Sequence, residues 1–128
     1  ILKVPSKYKD AKGYISISDN LIGVLRNDLK YLISYPYGCA EQTSSKILAM
    51  YYAQPFLRDD NLVGESKNFI RQGIKKLRNL QNYYGEFSYW EENGEITPYA
   101  SLYASQTLLE LYNNGVAVDQ NIIDKRIK

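Results

Sequence analysis

The 128-residue sequence has no histidine and only one cysteine, Cys39. Without histidine the chain lacks the side chain that most often serves as a general base near neutral pH, which excludes histidine-dependent catalysis within it. One cysteine excludes an intrachain disulfide and a thiolate metal site. These absences remove the commonest catalytic and metal-binding arrangements, so we expect no metal and no other cofactor.

Long apolar runs and a strong charge of either sign are also lacking. No stretch of about 18 apolar residues is present, so no membrane span is expected in this segment. Sixteen basic and fourteen acidic residues leave a net charge of +2 spread along the sequence. The sequence therefore has no basic cluster of the kind that binds nucleic acid, and no nucleic-acid partner is expected. Tyrosine is abundant instead: thirteen copies supply amphipathic bulk for partly hydrated packing surfaces.

Apolar residues recur at helical spacing in several segments, which predicts an all-α fold of stacked helical hairpins. We expect helices over residues 18–35 with Ser18 or Asp19 as the N-cap, from 39 or 40 to Pro55, over 65–80, from Thr97-Pro98 to about 113, and from 119 onward. Residues 58–64 are expected to form a polar connection. The loop at 81–96 should pack Phe87, Tyr89 and Trp90 back onto the helices.

The two ends of the sequence indicate a piece of a larger protein. Residues 1–17 are polar and irregular, which predicts a linker or the tail of a preceding domain. Residues 18–128 would then form the N-terminal part of one domain. Ile122, Ile123 and Ile127 have no evident partner in the predicted last helix, and truncation inside a larger helical array would explain this.

The lone cysteine stands in the stretch Tyr35-Pro36-Tyr37-Gly38-Cys39-Ala40-Glu41-Gln42. Pro36 ends the preceding helix, so Cys39 falls at the N-terminus of the next one, where unpaired N–H groups and the helix dipole favour a thiolate. Positions three apart share a helix face with Cβ atoms about 5–6 Å apart. A thiolate at Cys39 could therefore displace ammonia from the Gln42 carboxamide and leave an internal thioester.

Other interpretations of this stretch stay open. Cys39 could be a small buried hydrophobic residue that remains a free thiol in a structural helical module. Glu41 could be a first-turn acid that only complements the helix dipole. A cysteine-nucleophile enzyme, such as a transglutaminase or hydrolase, would need a histidine partner that the sequence does not contain.

The motif, read together with Thr43, resembles the thioester motif of the α2-macroglobulin and complement family, most closely its bacterial members. Vertebrate relatives usually have Gly-Cys-Gly-Glu-Gln, so Ala40 replaces a glycine that touches neither reacting side chain. Gly85–Trp90 and Ser101–Ala104 look like later segments of the same domain. The resemblance implies an α/α-toroid thioester domain.

The resemblance also implies a function. Cys39 is similar to the sulfur donor and Gln42 to the acyl donor of the family thioester, with motif support from Pro36, Tyr37, Gly38 and Glu41. Such a domain belongs to a broad-spectrum endopeptidase inhibitor, a single-use covalent protease trap rather than an enzyme, in which the exposed carbonyl acylates a lysine of the attacking protease. The implied partners are target proteases and neighbouring macroglobulin-type domains of the parent chain, in the periplasm or attached to the cell envelope of a bacterium.

Overall fold

The computed structural model describes residue 17 and residues 21–35, 38–57, 60–91 and 94–125. In these ranges five α-helices follow one another: α1 (Leu21–Ser34), α2 (Ala40–Ala53), α3 (Asp60–Leu80), α4 (Pro98–Asn113) and α5 (Gln120–Asp124). One turn of 3-10 helix, Gln54–Phe56, extends α2. Within these ranges the only β-structure is two isolated bridges, Gln81 with Phe87 and Ser88 with Ile96. The all-α prediction is confirmed.

Helix α2 is the centre of the fold, because it packs against both α3 and α4. Its Ile47 and Met50 are fully buried, and they share one hydrophobic core with Leu77 of α3 and Leu111 of α4. Burial of side chains of this size contributes about 1.5–3 kcal/mol each, so this core is what fixes the position of α2.

Helix α3 begins earlier than the sequence indicated, and the predicted polar connection up to Gly64 is wrong from residue 60 onward. The reason is a spacing of four: Leu62, Ser66 and Ile70 are all buried on one face. Gly64 inside the helix costs about 1 kcal/mol, which is less than the burial of Leu62 contributes. The helix therefore extends through Gly64. The expected inward residues Ile74, Leu77 and Leu80 are buried, and the basic residues Lys67, Arg71, Lys75 and Arg78 are exposed.

Helix α4 begins and ends as the sequence predicts. Thr97 is its N-cap, with a side-chain oxygen that accepts a hydrogen bond from the Ala100 N–H at 3.1 Å, and Pro98 occupies the first helical position. At the other end Gly115 has a φ of 79°, a left-handed conformation that glycine adopts without strain. The small residues Ala100 and Ala104 are fully buried, which lets α4 lie close to its neighbours.

Helix α5 is short and well anchored. Asp119 caps it, and Ile122 and Ile123 are each only 5% exposed. The Gln81 side chain donates a hydrogen bond to the Ile122 carbonyl at 3.0 Å. The expectation that Ile122 and Ile123 lack a partner is wrong, because the loop after α3 and the helix α4 enclose them.

Some predictions fall outside the described residues. These are the linker over residues 1–16, the N-cap at Ser18 or Asp19, the helix stop at Pro36, Tyr37, residues 58–59 of the polar connection, and Ile127. Of the predicted linker only Ile17 is described, and it is 94% exposed.

Candidate functional site

Cys39 is the N-cap of α2 and is bonded to Gln42 in both directions. The Cys39 sulfur accepts a hydrogen bond from the Gln42 backbone N–H at 3.5 Å. The Cys39 backbone N–H donates to the Gln42 side-chain oxygen Oε1 at 3.2 Å. This is a capping box, in which the side chain of the N-cap and that of the third helical residue each bond to the backbone N–H of the other residue. Helix initiation itself therefore ties the two predicted reacting residues to each other.

The geometry suits acyl chemistry at the Gln42 carboxamide. Oε1 is bonded to the carboxamide carbon at about 1.2 Å, so the N–H of Cys39 that holds this oxygen also fixes the carbon. The same N–H points at the oxygen on which negative charge develops when a nucleophile adds to the carbonyl, and such donors stabilise the transition state of acyl transfer. The Cys39 sulfur is nearly inaccessible to water, since the residue is 2% exposed.

Gly38 lies against the Gln42 side chain and leaves little room for a side chain of its own. It is buried, and a Cβ added to it would lie 3.1 Å from the Gln42 Cβ and 3.4 Å from Oε1. A methyl group there would crowd the side chain that has to face the sulfur. Motif support from Gly38 thus has a steric basis.

Tyr89 completes the site from a distant part of the chain. Its carbonyl oxygen accepts a hydrogen bond from the Ala40 N–H at 3.0 Å. Its hydroxyl donates to Glu41 Oε2 at 3.3 Å. Hydrogen bonding to Cys39 and the charge of that cysteine, followed by burial and Glu41, raise the pKa of Tyr89 to about 12. Tyr89 is therefore hydrogen-bonded to the first two residues of α2, Ala40 and Glu41.

The loop that carries Tyr89 is held by buried contacts. Phe87 is fully buried, and its backbone N–H donates to the Ser101 hydroxyl of α4 at 2.9 Å. The next backbone N–H, of Ser88, donates to the Leu80 carbonyl at 3.0 Å. The predicted inward packing is confirmed for Phe87 and for the half-buried Tyr89, whereas Trp90 is 45% exposed. These bonds anchor the loop to α3 and α4 directly before Tyr89.

Sequence reasoning packed Tyr89 back onto the helices but missed it as a site residue. It lies 48 residues after Glu41, and no local spacing connects the two. The only signal was its place in an aromatic loop predicted to fold back on the helices. Which helix end that loop covers depends on tertiary packing.

On the other side of α2, Lys46 is held by Tyr35. The Lys46 ammonium donates to the Tyr35 carbonyl at 3.0 Å and lies 4.5 Å from the centre of its ring. Burial, followed by the charge of Lys76, lowers the pKa of Lys46, while the charge of Cys39 opposes this. Both residues border a cavity of about 310 Å³ that Gly73 and Ile47 also line. Tyr35 therefore covers Lys46.

Two negative observations concern the described part of the chain. Across residues 21–35, 38–57, 60–91 and 94–125, no helix is both long and apolar enough to cross a membrane. The same ranges hold no group of three His, Cys, Asp or Glu side chains placed to share a metal ion.

Comparison with known proteins agrees with the motif and the fold. The family model of the A-macroglobulin TED domain matches residues 13–128. The chain is 27% identical over 128 residues to the α2-macroglobulin of Thermotoga maritima, covering 99% of this chain and 8% of that protein. It is 32% identical over 125 residues to that of Rickettsia conorii, covering 91% of this chain and 6% of that protein.

A solved structure is similar as well. The crystal structure of native Escherichia coli α2-macroglobulin, from domain MG7 to the C-terminus, superposes with a TM-score of 0.62 at 26% identity, covering 79% of this chain and 17% of that one. The chain belongs to the α2-macroglobulin family and is a thioester domain of that family. It spans less than a tenth of the length of the curated relatives it matches.

Proposed function

We propose that Cys39 and Gln42 form an internal thioester. The Cys39 thiolate adds to the Gln42 carboxamide carbon, a C–S bond forms, the C–N bond breaks, and the amide nitrogen leaves as ammonia after taking up a proton. The observation that carries this proposal is the reciprocal contact of the two residues across the first turn of α2. Membership of the thioester-domain family supports it.

The thioester would serve as a single-use acyl donor towards amines. A thioester carbonyl is less stabilised by resonance than an amide, so a lysine amine can displace the thiolate. The sequence contains no histidine, the usual general base near neutral pH, which favours amines, already good nucleophiles, over hydroxyls. Each domain would acylate one lysine and would not be regenerated, which makes it a trap and not an enzyme.

The biological role that fits this chemistry is broad-spectrum inhibition of proteases by a bacterial α2-macroglobulin-like protein. Because the chain spans only a small share of its relatives, we place it in a longer chain, with residues 18–128 in the N-terminal part of the thioester domain and macroglobulin-type domains beside it. Periplasmic or envelope-attached proteins of this kind would meet foreign proteases and couple to their lysines.

Covalent capture in the full-length protein tests this proposal. After addition of a protease, we expect a conjugate that survives denaturation and reduction, with an amide bond between Gln42 and a protease lysine identified by peptide mass spectrometry. Cys39→Ala and Gln42→Ala should abolish the conjugate, and Gln106→Ala, which removes an exposed glutamine of α4, should not. Conjugates that persist in Gln42→Ala would contradict the assignment and leave Cys39 as a free thiol of a structural module.

A further inference from the structure

Lys46 lies on the same face of α2 as the two residues of the proposed thioester. Cys39, Gln42 and Lys46 are separated by three and then by four positions, and this spacing aligns side chains along one face of a helix. The Cβ atoms of Gln42 and Lys46 are therefore about 5–6 Å apart, a distance that the four-carbon stem of a lysine spans. The chain thus places a primary amine one helical turn after the Gln42 acyl carbon.

The Lys46 side chain runs back towards the start of α2. Side chains in a helix lean towards its N-terminus, and the Lys46 ammonium donates to the carbonyl oxygen of Tyr35, eleven residues earlier, at 3.0 Å. The amine is thereby carried towards the turn that holds Gln42. Neither side chain is enclosed, since Gln42 is exposed and Lys46 is half-buried. Rotation of the Lys46 stem is therefore enough to bring the amine from Tyr35 to the Gln42 carbonyl.

We propose that Lys46 is an internal acceptor of the Gln42 acyl group, so that an exposed thioester that meets no target lysine becomes an amide between the Gln42 and Lys46 side chains. This inference rests on the proposed function of Cys39 and Gln42. The neutral Lys46 nitrogen bonds to the Gln42 carbonyl carbon, the C–S bond breaks, and its electron pair moves to sulfur. The proton that the nitrogen releases passes through solvent to the Cys39 thiolate, so one amine and one thioester give one amide and one thiol.

Tyr35 delays this reaction, because it holds Lys46 in the charged form. The ammonium is bonded to the Tyr35 carbonyl and lies 4.5 Å from the centre of the Tyr35 ring. A protonated amine has no lone pair with which to attack a carbonyl. Internal transfer therefore requires Lys46 to leave Tyr35 and to lose a proton, and the thioester persists while the contact lasts.

Once Lys46 is released, two properties of the site favour the internal amide over hydrolysis. Burial, followed by the charge of Lys76, lowers the pKa of Lys46, and the charge of Cys39, which opposes this, is absent while the sulfur is in a thioester. The reaction is also intramolecular, and well-oriented groups of one molecule react as if present at about 10⁵ M or more. The product is a spent domain with a free Cys39 and no bond to a bystander protein.

The experiment uses the full-length protein and a protease whose amines have been dimethylated, so that the protease exposes the thioester but offers no primary amine. Trypsin then cleaves after Lys46 only where its amine is free. From the spent wild type, with its thiols alkylated, we expect a tryptic peptide of residues 31–58 that is one ammonia lighter than its sequence and carries an alkylated Cys39. Hydrolysis would instead give a peptide of residues 31–46 with Gln42 converted to the acid.

Two variants identify the acceptor. Lys46→Arg keeps a positive charge on α2, but its guanidinium stays protonated and is not a nucleophile, so the linked peptide should be lost and only hydrolysis should remain. Lys76→Arg is the matched control, because Lys76 lines the same cavity as Lys46, and it should leave the linked peptide unchanged.

The wild-type peptides alone decide the proposal, whether or not the variants fold. Methylamine-releasable thiol of the untreated wild type is measured first, and its absence would overturn the proposed function and the role of Lys46 with it. Where that thiol is released, a spent wild type that yields only the hydrolysed peptide, or an amide at Lys76 in place of Lys46, would overturn the role of Lys46 alone.

Discussion

Gly73 lies where α3 contacts α2, the helix that begins at the cysteine motif. Its replacement by alanine tests that contact. A Cβ built on Gly73 would lie 2.6 Å from Cγ1 and 2.7 Å from Cδ1 of Ile47. Ile47 is fully buried in α2, two turns from Cys39. The added methyl group must therefore displace the Ile47 side chain or move α3 away from α2.

The change in stability of Gly73→Ala combines the cost of overpacking with the gain in helix propensity. Overpacking a buried contact costs about 1–3 kcal/mol, and because Ile47 can turn partly into the adjoining cavity, we take the lower half, about 1–2 kcal/mol. Alanine in place of a helical glycine returns about 1 kcal/mol. The net change in the free energy of unfolding for Gly73→Ala is a loss of up to about 1 kcal/mol.

Gly64→Ala in the same helix is the matched control, because nothing lies within 4 Å of its added Cβ. It should gain about 1 kcal/mol, so the two variants should differ by about 1–2 kcal/mol, or roughly 3–10 °C in melting temperature. Urea unfolding followed by circular dichroism measures both. Equal stabilisation by the two substitutions would show that α3 does not approach α2 as closely as the structure has it.

Further predictions concern the support of the site. Ser101→Ala should lower the free energy of unfolding by about 1–3 kcal/mol, because it leaves the buried N–H of Phe87 without its partner. Ser44→Ala is the control and should cost nothing, since the buried Ser44 hydroxyl has no partner among the described residues. Equal losses of the two variants in urea unfolding would contradict this. Thr97→Ala should cost about 1 kcal/mol through the lost N-cap of α4, and a melting temperature equal to the wild type would count against it. With Cys39 as a free thiol, the tyrosinate absorbance that is lost in Tyr89→Phe should titrate near pH 12 and not at 10. Because folding raises this pKa, the stability that Tyr89 contributes is present below pH 10 and is lost as the pH rises towards 12.

Much of the fold could be predicted from the sequence because its signals are local. The Thr97-Pro98 start and the apolar spacing of α3 lie within a few residues, and the structure has both. The early start of α3 and the anchoring of α5 were missed for a different reason. Both depend on burial against distant elements, of Leu62 in the first case and of Ile122 in the second, and tertiary burial overrides local turn signals.

The candidate site also has one part that local sequence predicts and one part that depends on tertiary packing. Cys39 and Gln42 are three residues apart, so helix geometry alone predicts that they meet, and the structure has them in reciprocal contact. Tyr89 comes from a loop 48 residues after Glu41, and its place depends on how Phe87 and Ser101 pack. Sequence reasoning therefore reaches Cys39 and Gln42 but not Tyr89, which is bonded to the two residues between them.

The intact mass of the full-length protein tests the central claim most directly. If Cys39 and Gln42 are joined, the denatured wild type should be lighter than its sequence by one ammonia and should show no titratable thiol at Cys39, and methylamine should add its own mass and release that thiol. Gln42→Ala should have its full sequence mass with Cys39 free. A wild-type protein of full sequence mass with a titratable Cys39 before any amine is added would contradict the account.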